Sequence, residues 1–287
     1  MSTVSHVPYR YFDVHVVRTE RITPGTLRVV LGGAGLAAMA TAGRDQRVKL
    51  FLPHPGQDGP VMPPMETDSD DWYENWRALD PGVRGIMRTY TVRELRREPS
   101  EVVIDFALHG GADDPGAGPA ARWAGTAAPG ARLGLLAPVE EDNLGYDFRP
   151  PATTDWVLLT GDASALPALA GILESLAPGL PARVWIDLHD REDRQDLPTK
   201  ADAEITWLVR DPHGDSPSIP TTADAIRAAT LPPGTPYAWV AGESATVKAV
   251  RRHLVAERGF DRRAVKFTGY WRRGTSEDQL LQADEDA

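Results

Sequence analysis

Hydrophobic and polar positions follow different periods in the two halves of the chain. In the first half, apolar residues alternate with polar ones over short runs, which is the period of half-buried β-strands. These runs predict six strands, at residues 11–19, 26–31, 47–51, 88–92, 101–108 and 132–136. Because no long helical pattern separates them, the first half is predicted to form a six-stranded antiparallel β-barrel, in which closure removes the sheet edges.

In the second half, short apolar strands alternate with amphipathic helices. The strands are predicted at 156–160, 183–189, 205–209, 237–241 and 264–270, and the clearest helices at 165–176 and 244–258. Ser164 is the expected N-cap of the first helix. This alternation is typical of a Rossmann-like doubly wound parallel sheet, that is, of an α/β domain. With a linker over 140–155, we predict two domains, 1–145 and 146–287.

Composition and net charge limit the functions and the cofactors that the chain can have. The net charge of −10 argues against nucleic-acid binding as the main role. The absence of cysteine excludes disulfides, cysteine-ligated zinc and iron–sulfur clusters. Any redox chemistry must then use an organic cofactor or a metal site without cysteine.

No targeting or membrane segment is evident in the sequence. Residues 1–14 lack a basic region followed by an apolar one, so no secretory signal is expected. The most apolar stretch, 31–43, is shorter than the roughly 20 residues that span a bilayer. We therefore expect a cytoplasmic protein that does not bind membranes. We also expect it to be a monomer.

Residues 88–93, with the sequence Arg-Thr-Tyr-Thr-Val-Arg, are the strongest candidate site. In a strand, Arg88, Tyr90 and Val92 would share one face, and a strand end at Arg93 would let its side chain turn back. An aromatic plane, a hydroxyl and guanidinium groups suit a flat, polyanionic ligand. The alternative is an ordinary amphipathic strand with surface arginines.

Three further segments of the first half each have a functional and an ordinary interpretation. The insertion at 53–85 is either a flap beside a ligand or a short helix that covers the barrel with Trp72 and Trp76. Residues 118–120 either cradle a pyrophosphate or simply start a helix. His109, at a strand end, either borders a cofactor or is structural.

Widely separated motifs in the chain resemble those of the siderophore-interacting proteins, the FAD-dependent ferric-siderophore reductases of the ferredoxin-reductase superfamily. Besides Arg-x-Tyr-Thr-x-Arg at 88–93, they are His109-Gly110, Gly118-Pro119-Ala120-Ala121-Arg122-Trp123-Ala124, Gly161-Asp162-Ala163-Ser164-Ala165-Leu166-Pro167-Ala168, Trp239-Val240-Ala241-Gly242-Glu243 and Gly269-Tyr270-Trp271-Arg272-Arg273-Gly274. They occur in the family's order and span most of the chain.

The resemblance implies FAD on the barrel and a nicotinamide coenzyme, NADPH or NADH, on the sheet domain. The FAD contacts would be Arg88, Tyr90, Thr91, Arg93, His109, Gly110, Gly118, Pro119, Ala120 and Trp123. The coenzyme contacts would be Gly161, Asp162, Ser164, Ala165, Gly242, Glu243 and Trp271. No bound metal is expected, and no residue is expected to act as an acid or base.

The chain departs from the usual patterns at three places. The dinucleotide fingerprint Gly-x-Gly-x-x-Gly is absent, as it often is in this superfamily. Ala163-Ser164 stands where the family commonly has an acidic residue and then threonine. The family's extra basic position after the sixth barrel strand is missing, because residues 137–140 read Ala-Pro-Val-Glu.

Residues 187–194 carry both signs of charge at the end of the second strand of the sheet domain. At this place an acid favours a free ribose hydroxyl, and a basic residue favours a ribose 2′-phosphate. Arg191 and Arg194 therefore predict that NADPH is usable.

An acidic protein needs a local basic patch to attract an anionic ferric siderophore. The candidates are Lys49, Lys266, Arg272 and Arg273. Lys266 and Arg272 would lie on one face with Tyr270 if the last strand continued that far. The alternative is solvated surface charge.

As a member of this family, the protein would be an NAD(P)H-dependent reductase that converts chelated Fe(III) to Fe(II) and releases iron inside the cell. One alternative is a flavoprotein reductase of the same fold that serves another acceptor, such as a ferredoxin or a quinone. Another is a non-enzymatic siderophore carrier. A ferredoxin-type protein is a further candidate electron donor.

Overall fold

The computed structural model describes residues 8–65, 71–108, 117–210 and 219–275. They form two compact units. The first extends to Tyr146 without Thr23–Gly25, and the second contains those three residues and the chain from Asp147 onwards.

Six strands build the first unit. They are β1 (Tyr9–Thr23), β2 (Thr26–Gly32), β3 (Arg47–Leu52), β4 (Ile86–Arg97), β5 (Ser100–Ala107) and β6 (Arg132–Pro138). They close into an antiparallel barrel in the order β1-β2-β5-β4-β3-β6, so the barrel prediction is confirmed. Every second side chain of a strand points into the barrel and helps to fill its interior. In β3, for example, Val48, Leu50 and Leu52 belong to the core, whereas Lys49 between them does not.

The insertion after β3 contains a short helix, α1 (Trp72–Ala78). This agrees with the interpretation of the insertion as a helix that covers the barrel. The Trp72 and Trp76 rings lie 6.0 and 6.2 Å from that of Phe51 on β3. Trp76 is 2% exposed, and its Nε1 donates to the carbonyl of Gly85 at 2.9 Å. The helix is therefore fixed to the barrel by buried aromatic surface.

The second α-helix among the described residues of this unit is α2 (Pro119–Thr126), which follows β5. Its alanines 120, 121 and 124 join the barrel core. Its amino end starts at Gly118, which has no side chain to cap it.

The second unit is a five-stranded parallel sheet with helices. Its strands are β7 (Trp156–Asp162), β8 (Pro181–Leu188), β9 (Asp202–Val209), β10 (Pro236–Glu243) and β11 (Val265–Trp271), and its helices are α3 (Leu166–Ser175), α4 (Thr222–Ala228) and α5 (Ser244–Arg252). The strand order is β11-β10-β7-β8-β9. The predicted doubly wound sheet is confirmed, and the strand order reverses between β7 and β10, where such folds bind their ligands.

One predicted detail of the helices is wrong, and another helix is found but changes its hydrogen-bonding pattern in its last turn. Ser164 does not cap the first helix: it lies within a 3₁₀ turn, Ala163–Ala165, and the turn is capped by the side chain of Asp162. The last predicted helix leaves the α-conformation after Arg252 and continues as a π-helical turn, His253–Glu257. In that turn the amide of Arg258 donates to the carbonyl of His253, five residues back, at 3.0 Å.

Across the ranges given above, no helix is both long and apolar enough to cross a membrane.

Candidate functional site

The 88–93 motif lies inside β4 and not at its end, because the strand continues to Arg97. The prediction that the strand ends before Arg93 is therefore wrong. The register with β5 shifts at this point: Val92 pairs with Ile104, but Glu94 pairs with Val103. Arg93 is the extra residue of this bulge, and a bulge redirects a side chain without ending the strand.

The predicted sharing of a face by Arg88, Tyr90 and Val92 agrees with their burial. Val92 is a core residue, and Tyr90 packs against the same core while half-buried. Arg88 is 8% exposed, and its Nη1 donates to the carbonyl of Met87 at 2.6 Å. Arg88 is thus held largely inside the protein, whereas Arg93, partly exposed at the bulge, is the better placed of the two to bind an anion.

A row of aromatic rings joins β4 to α2. The ring of Tyr90 lies 4.3 Å from that of Phe106 on β5, which lies 5.9 Å from that of Trp123 on α2. Because the Phe106 side chain is fully buried, it fixes the helix relative to the motif. The side chain of Trp123 is partly buried in this packing, and that of Ala120 is core, so Ala120 has only its backbone left for a ligand.

Among the described residues, no side chain caps or covers Gly118 at the amino end of α2, while the Arg122 side chain donates to the carbonyl of Ala117 beside it. A Cβ added to Gly118 would meet no atom within 4 Å, and no side chain caps the helix. Unsatisfied N–H groups at such an end favour a phosphate. His109 and Gly110, predicted to border the same cofactor, lie outside the described residues.

In the second unit, the Asp162 carboxylate ties together the carboxyl ends of three strands. Its Oδ1 accepts from the amide and the hydroxyl of Ser164, at 2.9 and 2.5 Å. Its Oδ2 accepts from the amide of Glu243 and from Nε1 of Trp271, both at 2.8 Å. Asp162 therefore holds β7, β10 and β11 in position with bonds to the protein itself.

Gly161 and Gly242 allow the close approach of chain segments at this edge. Gly242 has φ +129°, and a Cβ on it would lie 2.6 Å from Asp162 Oδ2. A Cβ on Gly161 would lie 2.5 Å from that of Ala165. Close packing within the protein therefore explains why glycine stands at both positions. Their contact with a coenzyme stays a prediction.

Glu243 and Ser244 also have structural partners. The Glu243 carboxylate caps α5, because Oε2 accepts from the amides of Ala245 and Thr246 at 2.7 and 3.0 Å. The Ser244 hydroxyl donates to the carbonyl of Trp271 at 3.0 Å. The predicted coenzyme contacts on β7, β10 and β11 are thus brought together at one edge of the sheet.

An ion pair that the sequence reasoning missed lies beside them. Arg210, just after β9, binds Asp187 near the end of β8 with Nε–Oδ1 at 2.8 Å and Nη2–Oδ2 at 2.6 Å. The Asp187 carboxylate raises the pKa of Arg210 by hydrogen bonding to it. The signal was present in the strand pattern, because Val209 pairs with Leu188 and carries Arg210 to the same edge.

The two arginines predicted to contact the coenzyme, Arg191 and Arg194, are both exposed. Arg191 lies in a 3₁₀ turn, and Arg194 directly follows it.

The four predicted basic residues occupy distinct places. Lys49 lies on β3, and its Nζ donates to Thr89 Oγ1 at 2.7 Å. Lys266 is near the start of β11, while Arg272 and Arg273 follow its end. The amide of Thr275 donates to the carbonyl of Arg272 at 3.1 Å and closes a turn. The strand therefore does not continue to Arg272, and the predicted alternation of Lys266 with Arg272 is wrong.

Within the four described ranges, no three acidic or histidine side chains are arranged to hold a metal ion.

Comparison with known proteins matches nearly all of both units. Residues 15–142 match the family described as "Siderophore-interacting FAD-binding domain", and residues 154–274 match "Siderophore-interacting protein". The chain belongs to the siderophore-interacting protein family.

Relatives of this siderophore-interacting protein match it over almost their full length. The ferric vibriobactin reductase ViuB of Vibrio cholerae is 33% identical over 91% of this chain and 89% of its own. The NADPH-dependent ferric-chelate reductase of Escherichia coli is 31% identical over 91% and 93%. The crystal structure of a siderophore utilization protein from T. fusca is 35% identical, covers 96% of this chain and 97% of its own, and has a TM-score of 0.76.

Family membership identifies the chain as a flavoprotein oxidoreductase that uses FAD and a nicotinamide coenzyme. The first unit fits FAD on two observations of its own: within the described residues no side chain caps the amino end of α2 at Gly118, and the β4 strand bulges at Arg93. In the second unit the strand order reverses between β7 and β10, which is where doubly wound sheets bind nucleotides. Which individual side chains touch either molecule stays a prediction.

Proposed function

We propose that this protein is an FAD-dependent, NAD(P)H-driven ferric-siderophore reductase that reduces chelated Fe(III) to Fe(II) and releases iron in the cytoplasm. The observation that carries the proposal is the presence, in one chain, of a closed barrel with a helix that lacks a side-chain cap and a parallel sheet whose strand order reverses between β7 and β10. The proposed domains are 1–145 for FAD and 146–287 for the coenzyme. Reductase activity on ferric siderophores or chelates in the named relatives supports it.

Flavin supplies the required chemistry, since it accepts a hydride as an electron pair and gives electrons up singly. Hard oxygen ligands hold Fe(III) more strongly than Fe(II), so reduction weakens the chelate. No protein side chain has to donate or accept a proton. The chain's task is to bind and orient the reactants.

In the barrel, Arg93 and the amino end of α2 would bind the pyrophosphate of FAD. The bulge aims Arg93 independently of its strand neighbours, and the uncapped helix end presents N–H groups. Tyr90, packed on Phe106, which in turn packs on Trp123, would stack on the flavin ring, and Thr91 would donate its hydroxyl to the ring edge.

In the sheet unit, the coenzyme would lie across the carboxyl ends of β7 and β10. Gly161 and Gly242 allow the side chains of Ala165 and Asp162 to pack closely against the strand ends there. Asp162 would act through the elements it holds, because four hydrogen bonds already occupy its carboxylate.

An anaerobic mixing experiment tests the proposal. The protein, loaded with FAD, is mixed with NADH or NADPH and then with a ferric siderophore, while flavin absorbance is followed. The proposal predicts bleaching with the coenzyme and recovery with the siderophore. Bleaching without recovery, followed by recovery with ferredoxin or a quinone, would favour a reductase for another acceptor. Bleaching by reduced ferredoxin but by neither coenzyme would identify a protein electron donor.

A further inference from the structure

The ion pair between Asp187 and Arg210 occupies the position that reads the coenzyme ribose in doubly wound folds. Asp187 is the last residue but one of β8, the second strand of the sheet unit. An acidic residue at the end of this strand commonly accepts hydrogen bonds from the free ribose hydroxyls of NADH. In this protein that acidic residue, Asp187, is already hydrogen-bonded to Arg210.

Both oxygens of the Asp187 carboxylate accept hydrogen bonds within the protein. Oδ1 accepts from Arg210 Nε at 2.8 Å, and Oδ2 accepts from Arg210 Nη2 at 2.6 Å and from the Thr222 hydroxyl at 3.2 Å. The carboxylate is therefore a poor acceptor for ribose hydroxyls. Its charge is also neutralised, so it does not repel a phosphate as a free carboxylate would.

Arg210 keeps capacity for a second anion. Its side chain is 37% exposed, against 19% for Asp187, and Nη1 takes no part in the contacts with Asp187. A guanidinium binds phosphate oxygens through paired N–H groups. The pair thus removes the feature that selects NADH and adds one that selects a ribose 2′-phosphate.

We propose that Arg210 is a specificity-determining residue and that this protein prefers the coenzyme carrying the ribose 2′-phosphate. The inference rests on the proposed use of a nicotinamide coenzyme and specifies its class. It assigns the discrimination to Arg210 and not to the exposed Arg191 and Arg194.

Calorimetry with two coenzyme fragments tests this without any turnover. The probes are 2′-phospho-ADP-ribose and ADP-ribose, which differ only in the phosphate. The wild type should bind the phosphorylated probe more tightly. Arg210→Gln should weaken that binding by about tenfold or more, the size of a lost charge-assisted contact, while ADP-ribose binding holds or improves as Asp187 is released. The ratio of kcat/KM for NADPH and NADH should shift in the same direction.

Two partner variants separate charge recognition from a structural role. Asp187→Asn keeps the guanidinium and should retain or strengthen binding of the phosphorylated probe. Arg210→Lys keeps the charge and should retain part of the preference. If the pair only supports the fold, Asp187→Asn and Arg210→Gln should weaken both probes equally, and that result would overturn the proposal.

Arg183 provides a matched control on the same two strands. It pairs with Glu204 at 3.1 Å near the amino ends of β8 and β9, so Arg183→Gln removes the same charge away from the crevice. It should leave the preference unchanged, and an equal loss of preference would contradict the proposal. An unaltered preference in Arg210→Gln, or its loss in Arg191→Gln or Arg194→Gln alone, would also overturn it. If neither probe and neither coenzyme binds, the proposed function itself fails.

Discussion

The barrel unit and the sheet unit build their candidate sites in opposite ways. In the barrel, the key residues come from six consecutive positions on β4 and from one helix end. In the sheet unit, they come from the ends of β7, β10 and β11, and one carboxylate joins them. The barrel site is therefore specified by a short local motif. The sheet site forms only when strands that are distant in sequence lie in register.

The difference has a consequence for mutation. Changing Arg93, which is partly exposed, should remove a ligand contact and leave the fold intact. Changing Asp162 should disturb the whole edge of the sheet, because the donors on Glu243 and Trp271 would lose their acceptor.

The largest effect is therefore expected for Asp162→Ala. Loss of the four accepted hydrogen bonds should lower the free energy of unfolding of the sheet unit by about 3 kcal/mol, as measured by urea unfolding. FAD should remain bound at normal occupancy.

Asp190→Ala is the control for this prediction. Asp190 also caps a 3₁₀ turn, accepting from the amide of Glu192 at 2.9 Å, but the cap is local. It should cost only about 1 kcal/mol. If Asp162→Ala is no worse than this control, Asp162 does not hold the three strands together.

The next effect is expected for the motif on β4. Arg93→Ala should weaken FAD binding by about 1.5–3 kcal/mol, through loss of a charge-assisted contact to phosphate, with little change in unfolding. Flavin occupancy after purification and the dissociation constant of FAD measure this. Full occupancy would remove Arg93 from the site.

Tyr90 provides a second test of the local site. Tyr90→Ala should weaken FAD through lost stacking, whereas Tyr90→Phe should retain it, since the ring and its packing on Phe106 are preserved. Equal damage by both substitutions would mean that the hydroxyl, and not the ring, is needed.

The same contrast explains which features could be predicted from sequence. Alternation gave the barrel strands, because inward positions such as Val48, Leu50 and Leu52 repeat every second residue. The Arg93 bulge was not predictable, since one extra residue depends on pairing with β5. The roles of Asp162 and Arg210 depend on partners on other strands. A turn that ends β11 likewise separated Arg272 from the alternation that predicted its face.

Acid should affect a buried ion pair of the barrel. The Glu101 carboxylate, 5% exposed, accepts from Arg18 at 2.8 and 3.0 Å and from Arg96 at 3.2 Å. Hydrogen bonds from Arg18 above all hold its pKa below the usual 4.5. The stabilisation is therefore present above about pH 4.5 and is lost as the pH falls through the lower, folded-state value.

Comparison of Glu101→Gln with Glu257→Gln measures this effect. Glu257 in the sheet unit is about half exposed, and Arg227 and then His253 lower its pKa to about 2. Solvent screens such an exposed group, so Glu101→Gln should flatten the fall in stability between pH 6 and pH 3 more than Glu257→Gln does. Urea unfolding at several pH values gives both slopes, and the reverse order would contradict the structural reason.

The smallest effect is expected at the predicted acceptor patch. Arg272→Ala and Lys266→Ala should each raise the KM for an anionic ferric siderophore by about two- to fivefold at low salt and less at high salt, because surface charges are screened. Hydride transfer to flavin should be unchanged. Lys200→Ala, which removes an exposed charge just before β9, is the control. An effect confined to flavin reduction would place Arg272 and Lys266 at the coenzyme instead.

The stoichiometry of iron reduction tests the central claim most directly. Under anaerobic conditions, the FAD-loaded protein is given limiting NADPH and excess ferric siderophore, and Fe(II) is trapped by a coloured chelator. Because a hydride carries two electrons and each Fe(III) accepts one, about two Fe(II) should form for each coenzyme oxidised. Coenzyme oxidation without Fe(II), or Fe(II) formation that does not require FAD, would contradict the account.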